Sequence, residues 1–243
     1  MSKQRVYIFG DSFAVTKWHI DYNFEHLPWP LLLAEKYTVE NHAVMGTGPD
    51  YSIQKLLDTI THTPPEQIKD SVLIFISSDP CRLNLSCYKH PRDQVLLFAI
   101  ASGDVPHTSA EFARGAVEWM FDHDWVHNNH LKNYSTILHL STLFKQTLYW
   151  NICNSVPTHQ QFYPHSKSVQ VPKEGLLEIS NRDSGNTPLV NPAHDSRPNH
   201  LHEPNHQEMY RQLCNWIELE HPIDTEKFAP IHSVREAEPT QRP

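Results

Sequence analysis

The chain has 243 residues, of which 39% are hydrophobic and 20% charged, and this length suits a single well-buried domain. Its formal net charge of −8 excludes the basic surface that attracts nucleic acid or anionic lipid. No apolar stretch approaches the roughly 20 residues that cross a membrane, and Met1–Gln4 does not open a signal peptide, so we expect a cytoplasmic protein without membrane contact.

The chain up to residue 79 alternates predicted strands and helices. Strands are predicted at Arg5–Phe9, Thr38–Ala43 and Val72–Ile76, and helices at Trp29–Tyr37 and from an N-cap at Asp50 onward. The first and third of these strands are continuous apolar runs, which are typical of parallel strands buried on both faces. The β-α-β-α-β order predicts a parallel sheet that is covered by helices on both faces and binds ligands beyond the carboxyl ends of its strands.

The second half of the chain is less regular. Helices are predicted at Ala110–Phe121, Asn129–Gln146 and Pro204–Leu219, and strands at Leu148–Cys153 and Leu176–Ile179. We interpret residues 80–147 as partly an insertion that decorates the sheet, and residues 156–199 as mostly loop. The predicted organisation is one domain over residues 1–219, followed by an extended or disordered tail over residues 220–243.

Ser12 ends the tripeptide Gly10-Asp11-Ser12, which follows the first predicted strand directly. A serine at this position presents its hydroxyl at the edge of the sheet, near N–H groups that can stabilise an oxyanion. Asp11 is expected to hold the turn by accepting backbone N–H bonds. The alternative interpretation of Ser12 is a helix N-cap.

Three segments resemble the SGNH (GDSL-type) hydrolases in order and spacing. They read V-Y-I-F-G-D-S-F near the N-terminus, then W-P-L-L-L-A-E-K-Y, then N-H-A-V-M-G-T-G. The resemblance covers residues 5–79 and 195–219. It implies a flavodoxin-like three-layer α/β/α fold with a mostly parallel sheet of about five strands. It also implies that Ser12 is the nucleophile and that the backbone N–H of Gly46 lines the oxyanion hole.

The block N-H-L-H-E-P-N-H, which begins at Asn199, resembles the base-carrying block of the family, and the stretch D-S-R-P-N-H-L from Asp195 is similar to that of phage members. The resemblance implies that His200 is the general base; a loop histidine is the alternative. The family keeps an orienting carboxylate three residues before this histidine, where the chain has Arg197. The nearest carboxylate is Asp195, and we expect it to accept the imidazole N–H. Arg197 is a permanent cation and is expected to point away from the ring, towards substrate or Asp79.

A second departure from the family concerns the oxyanion hole. The third family block is G-x-N-D, and its asparagine donates a hydrogen bond to the oxyanion. The matching stretch here is Ile76-Ser77-Ser78-Asp79, so Ser78 stands at the asparagine position. A serine hydroxyl donates one hydrogen bond over a shorter reach. Arg82 and Asn84 are further candidates for this role, and Arg82 is also a candidate for a substrate contact.

These residues predict a serine esterase or carbohydrate O-deacylase that acts on a small ester or an acylated carbohydrate and needs no metal or organic cofactor. One alternative is a phage virion or host-interaction protein that retains the fold without the chemistry and is virion-associated. The other is a metalloenzyme, because many of the 18 histidines cluster in residues 123–139 and 194–206. No zinc-finger spacing occurs in those clusters, but the second contains H-E-x-x-H once, as His202-Glu203-Pro204-Asn205-His206.

Overall fold

The computed structural model describes residues 3–16, 27–78, 114–115, 118–119, 124–152, 169–181, 201 and 203–228. The strands are β1 (Arg5–Phe9), β2 (Thr38–Asn41), β3 (Val72–Ser77), β4 (Gln146–Asn151) and β5 (Val169–Gln170). The α-helices are α1 (Trp29–Lys36), α2 (Pro49–His62), α3 (Pro65–Lys69), α4 (Trp125–Ser141), α5 (Leu176–Asn181) and α6 (Glu203–Leu219), and a 3₁₀ helix covers Thr225–Lys227.

The strands form one parallel sheet in the order β2-β1-β3-β4-β5. Val6 of β1 pairs with Val39 on one side and with Val72 on the other. The strand β4 pairs with β3 along its whole length, up to Asn151 opposite Ser77. This is the strand order of flavodoxin-like folds, and it confirms the predicted α/β class with a parallel sheet.

Helices cover both faces of the sheet. Side chains alternate along each strand, so Ile8 and Ile74 face one hydrophobic cluster while Phe9 and Phe75 face another. The first cluster contains buried residues of α1 and α6, and the second contains buried residues of α2 and α4. The arrangement is the three-layer one that was expected. Within the described ranges, every helix is too short or too polar to cross a membrane.

The elements of the first half agree with the predicted ones except at their ends. The strand β1 covers the predicted residues, β2 already ends at Asn41, and β3 extends to Ser77. Asp50 is not the N-cap of α2, because that position belongs to Gly48 and the helix begins at Pro49. Proline is favoured in a first helical turn because the N–H that it lacks would have no partner there.

Two predictions for the second half are wrong. Residues 176–179 lie in helix α5, where Leu176, Ile179 and Ser180 are buried at helical spacing, so the predicted strand does not form. The helix predicted over Asn129–Gln146 is α4, which ends at Ser141, and Gln146 begins β4. The helix α4 lies in the connection between the parallel strands β3 and β4. Of the helix predicted at Ala110–Phe121, the described residues are 114–115 and 118–119, which are helical.

The tail predicted from residue 220 begins with a segment that packs on the domain. Ile223 and Phe228 are buried in the cluster that faces α1 and α6, and the Phe228 ring packs edge-on against Trp150. The side-chain amide of Gln212 on α6 bonds to both the N–H and the carbonyl of Asp224. Residues 221–228 are therefore part of the domain, and residues 229–243 lie outside the described ones.

Candidate active site

Three neighbouring strands deliver the predicted site residues to one edge of the sheet. Ser12 follows β1, Gly46 follows β2 and Ser78 follows β3, and β1 lies between the other two strands. The pairing of β1 with β2 continues beyond the strands, because Val44 donates its N–H to the Gly10 carbonyl at 3.0 Å. The loop that carries Gly46 therefore runs alongside the loop that carries Ser12.

Gly10 makes the sharp exit from β1 possible. Its φ is +155°, a backbone conformation that residues with side chains rarely adopt. A Cβ on this residue would lie 2.7 Å from the Cβ of Ile76 and 2.9 Å from its carbonyl oxygen. The chain can therefore turn towards Ser12 this close to β3 only with glycine at position 10.

Asp11 holds the turn in which Ser12 lies. Its Oδ1 accepts the N–H of Phe13 at 3.2 Å, its carbonyl accepts the N–H of Ala14 at 3.0 Å, and the residue is fully buried. This confirms the structural role expected for Asp11. Ser12 itself is half-buried, and its hydroxyl has no hydrogen bond to another described residue. Among the described residues, the turn is thus capped by the Asp11 carboxylate and not by the Ser12 hydroxyl.

Gly46 lies in a turn that leaves open space above it. The turn closes on the Val44 carbonyl, which accepts the hydroxyl of Thr47 at 2.7 Å and its N–H at 3.4 Å. Gly46 has φ +74°, and no atom lies within 4 Å of the position that a Cβ would take. Among the described residues, the Gly46 N–H has no acceptor. A donor of this kind is what an oxyanion hole requires.

Ser78 is buried without a hydrogen-bond partner. Only 3% of the residue is exposed, and in the described part of the chain its Oγ makes no hydrogen bond. The neighbouring Ser77 differs, because its Oγ accepts the Tyr149 hydroxyl at 3.0 Å and its carbonyl accepts the N–H of Ile152 at 3.0 Å. A buried hydroxyl without a hydrogen bond lowers stability by about 1–3 kcal/mol. An acceptor bound at this edge of the sheet would therefore be stabilised by a hydrogen bond from Ser78.

The start of α6 is linked to the Ser12 loop through Trp29. The indole Nε1 of this fully buried residue donates to the Phe13 carbonyl at 2.9 Å, and its backbone N–H donates to His206 Nδ1 at 3.3 Å. Leu201, which follows the predicted base directly in sequence, is buried in the same hydrophobic cluster as Phe13. The chain on both sides of residue 202 therefore lies on the face of the sheet where the Ser12 loop packs.

His206 is not suited to be the general base. A ring nitrogen that accepts an N–H carries no proton, so the neutral ring bonded to Trp29 holds its proton on Nε2. Neither nitrogen is then free to take a proton from a serine. Of the three histidines in the C-terminal block, His200 stands at the family's base position and remains the candidate, and His202 lies outside the described residues. His200, Asp195, Arg197 and Arg82 lie outside the described residues.

His42 lies in the loop between β2 and the Gly46 turn. Its ring stacks on Phe9 with the centroids 4.9 Å apart, and its Nε2 lies 4.0 Å from a carboxylate oxygen of Glu40. Burial lowers the pKa of His42 below its ordinary value of 6.5, and the nearby Lys55 acts in the same direction, against the pull of Glu40. The ring is therefore stabilised in its neutral form beside the site.

The sequence analysis missed Asn41, the last residue of β2. Its Nδ2 donates to the Ala14 carbonyl at 2.7 Å, and its Oδ1 accepts the N–H of Ala43 at 3.0 Å. The second bond closes an Asx turn. The signal that was available is an asparagine two residues before the predicted end of a strand, where the chain enters a turn and Asx turns are common.

The described residues contain no group of three or more His, Cys, Asp or Glu side chains that could hold a metal ion. Of the two histidine clusters, residues 124–139 of the first fall in the described ranges, whereas most of the second does not.

Compared with known proteins, the chain matches no family model, no curated protein and no solved structure at a significant level.

Proposed function

We propose that the protein is a serine esterase or carbohydrate O-deacylase with Ser12 as its nucleophile and His200 as its general base. The His200 imidazole takes the proton of the Ser12 hydroxyl while the serine oxygen attacks the ester carbonyl. The tetrahedral intermediate collapses to an acyl-serine, and the imidazolium gives its proton to the leaving alcohol. Water, deprotonated by the same imidazole, then releases the acid and restores the serine.

The observation that carries this proposal is the set of hydrogen-bond donors around Ser12. On one side the Gly46 N–H has no acceptor among the described residues, and on the other the buried Ser78 hydroxyl has no partner among them. Both donors belong to loops that follow the strands flanking β1. Free donors on the two sides of a half-buried serine are the arrangement that stabilises an oxyanion.

The orienting role is assigned to Asp195. The imidazolium that forms during attack needs an acceptor for its second N–H, and a carboxylate is the best one. Arg197 cannot accept that bond, and it and Arg82 are assigned to substrate contact. These roles rest on the order of residues in the C-terminal and third blocks.

The substrate class that fits is a small acyl group on a carbohydrate or a short-chain alcohol. The compartment that we infer is the cytoplasm, or the virion for a phage-encoded chain. The rival to catalysis is a virion or host-interaction protein with the same fold, because Ser78 and Arg197 replace residues that the family uses.

The proposal is tested by hydrolysis of p-nitrophenyl acetate by the wild type and by Ser12→Ala. The control is Ser71→Ala, which removes a buried hydroxyl at the opposite end of β3, where it donates to the Ile68 carbonyl. We expect turnover to be lost in Ser12→Ala and kept in Ser71→Ala, with no effect of EDTA on the wild type. Equal turnover by Ser12→Ala would refute the serine mechanism, and a loss in EDTA that zinc restores would favour the metalloenzyme.

A further inference from the structure

One carboxamide joins the two loops of the candidate site. The Ser12 loop is held at the Ala14 carbonyl, which accepts from Asn41 Nδ2 at 2.7 Å. The Gly46 loop is held at the N–H of Ala43, which donates to Asn41 Oδ1 at 3.0 Å. Ala14 lies two residues after Ser12, and Ala43 three residues before Gly46. The Asn41 side chain is thus bonded to both loops at once.

We propose that Asn41 is a positioning residue that sets the distance between the Ser12 hydroxyl and the Gly46 N–H. This inference rests on the proposed function and assigns it a further residue. The loops are also joined by the bond from the Val44 N–H to the Gly10 carbonyl, which precedes both functional residues. That bond fixes the start of each loop, and Asn41 fixes the Ser12 loop beyond its functional residue.

The role predicts an effect on the chemical step and not on substrate binding. An oxyanion donor must lie about 2.7–3.1 Å from the developing charge, and a displacement of about 1 Å costs up to about 10²-fold in rate. Binding of the substrate in its ground state does not depend on that distance. Loss of the link should therefore lower kcat and leave KM nearly unchanged.

Asn41→Asp is the substitution that breaks one bond and keeps the other. The aspartate retains an oxygen for the N–H of Ala43, but it places a second oxygen against the Ala14 carbonyl, where no donor remains. The Asx turn survives and the link to the Ser12 loop is lost. Asn41→Ser has the same consequence with a shorter side chain, because a serine closes the turn but does not reach Ala14.

Gln212 offers a matched control. Its carboxamide also bonds to a backbone carbonyl and a backbone N–H, both of Asp224, at 2.8 and 2.6 Å. Gln212→Glu makes the same amide-to-carboxylate change on α6, where Gln212 joins the helix to residues 221–228. The Gln212 Nε2 also donates to Glu208 Oε1 at 2.8 Å, so this variant additionally places two carboxylates side by side and is the harsher of the two changes for stability. Both acidic variants should lower the melting temperature, by about 2–8 °C.

The experiment measures hydrolysis of p-nitrophenyl acetate and the rate of fluorophosphonate labelling for the wild type, Asn41→Asp and Gln212→Glu, well below all three melting temperatures. We expect kcat and the labelling rate of Asn41→Asp to fall about 10–100-fold with KM within about twofold of the wild type. Gln212→Glu should keep the wild-type values. If Asn41→Asp does not fold, Asn41→Ser is measured against the same prediction.

The outcomes separate the two claims. If the probe labels the wild type and Asn41→Asp at the same rate, the positioning role alone is overturned. A rise in the KM of Asn41→Asp at constant kcat would overturn it too. Equal losses in Asn41→Asp and Gln212→Glu would show a general effect of destabilisation and would also overturn it. A wild type that neither hydrolyses the ester nor reacts with the probe would overturn the proposed function itself.

Discussion

Replacing Gly10 by alanine perturbs the point at which the chain leaves β1 for Ser12. Gly10 has φ +155°, and a Cβ there would lie 2.7 Å from the Ile76 Cβ and 2.9 Å from the Ile76 carbonyl oxygen. Both contacts are shorter than real Cβ atoms tolerate, and one of them is to backbone. A rotamer change cannot relieve the overlap, so β1 or β3 must move.

Two costs add in this variant. A residue with a side chain in such a backbone region costs about 1–3 kcal/mol, and overpacking between strands costs a further 1–3 kcal/mol or so. The sum, about 2–6 kcal/mol, is a large part of the roughly 5–15 kcal/mol by which domains are stable. For a chain of this size it corresponds to a fall in melting temperature of about 4–24 °C.

The assay is thermal and urea unfolding of three alanine variants. Gly46→Ala has the strain of φ +74° without the overlap, and should cost about 1–2 kcal/mol. Gly115→Ala lies in a helical turn with open space around it, and should stabilise by about 0.5–1 kcal/mol. A Gly10→Ala variant no less stable than Gly46→Ala would refute the close approach between the Ser12 loop and β3.

Three further predictions concern side chains in and beside the site. Ser78→Ala should lower kcat about 10²–10³-fold and leave the free energy of unfolding unchanged or slightly higher. Ser77→Ala should lower the free energy of unfolding by about 1–3 kcal/mol, because the Tyr149 hydroxyl loses its acceptor. Unfolding and ester assays on both variants check this. The pKa of His42 is lowered in the folded state, so the unfolded chain binds more protons below about pH 6.5 and stability falls as the pH drops through that value. In His42→Phe the melting temperature should therefore depend less on pH between about pH 5 and 7, and an unchanged slope would contradict this. Asp195→Asn should lower kcat by up to about 10⁴-fold because the wrong His200 tautomer results. A wild-type kcat in this variant would show that Ser12 and His200 act as a dyad without Asp195.

The sheet could be predicted because its strands carry their own signal. Val72–Ser77 is buried at every position, and a run of apolar residues of that length is explained by a parallel strand with helices on both faces. The segment at Leu176 was mistaken for a strand because a short apolar run fits either period. Its buried positions repeat at helical spacing, and that distinction appears only once the neighbouring layer is known.

The loops of the candidate site could be predicted by position but not by contact. Parallel strands end at one edge of the sheet, so residues that follow β1, β2 and β3 were expected to lie near one another. The bonds that hold them depend on partners far away in sequence. Trp29 donates hydrogen bonds to both Phe13 and His206. No local sequence pattern predicts these bonds.

Reaction of the wild-type protein with a fluorophosphonate probe, followed by mass spectrometry of the labelled peptide, tests whether the Ser12 hydroxyl is an activated nucleophile. A serine without a base and an oxyanion hole does not react at a useful rate, so the reagent reports activation and not exposure. We expect one phosphonylated residue, Ser12, and no labelling of Ser12→Ala. Labelling at another residue, or none in a folded wild type, would contradict this expectation.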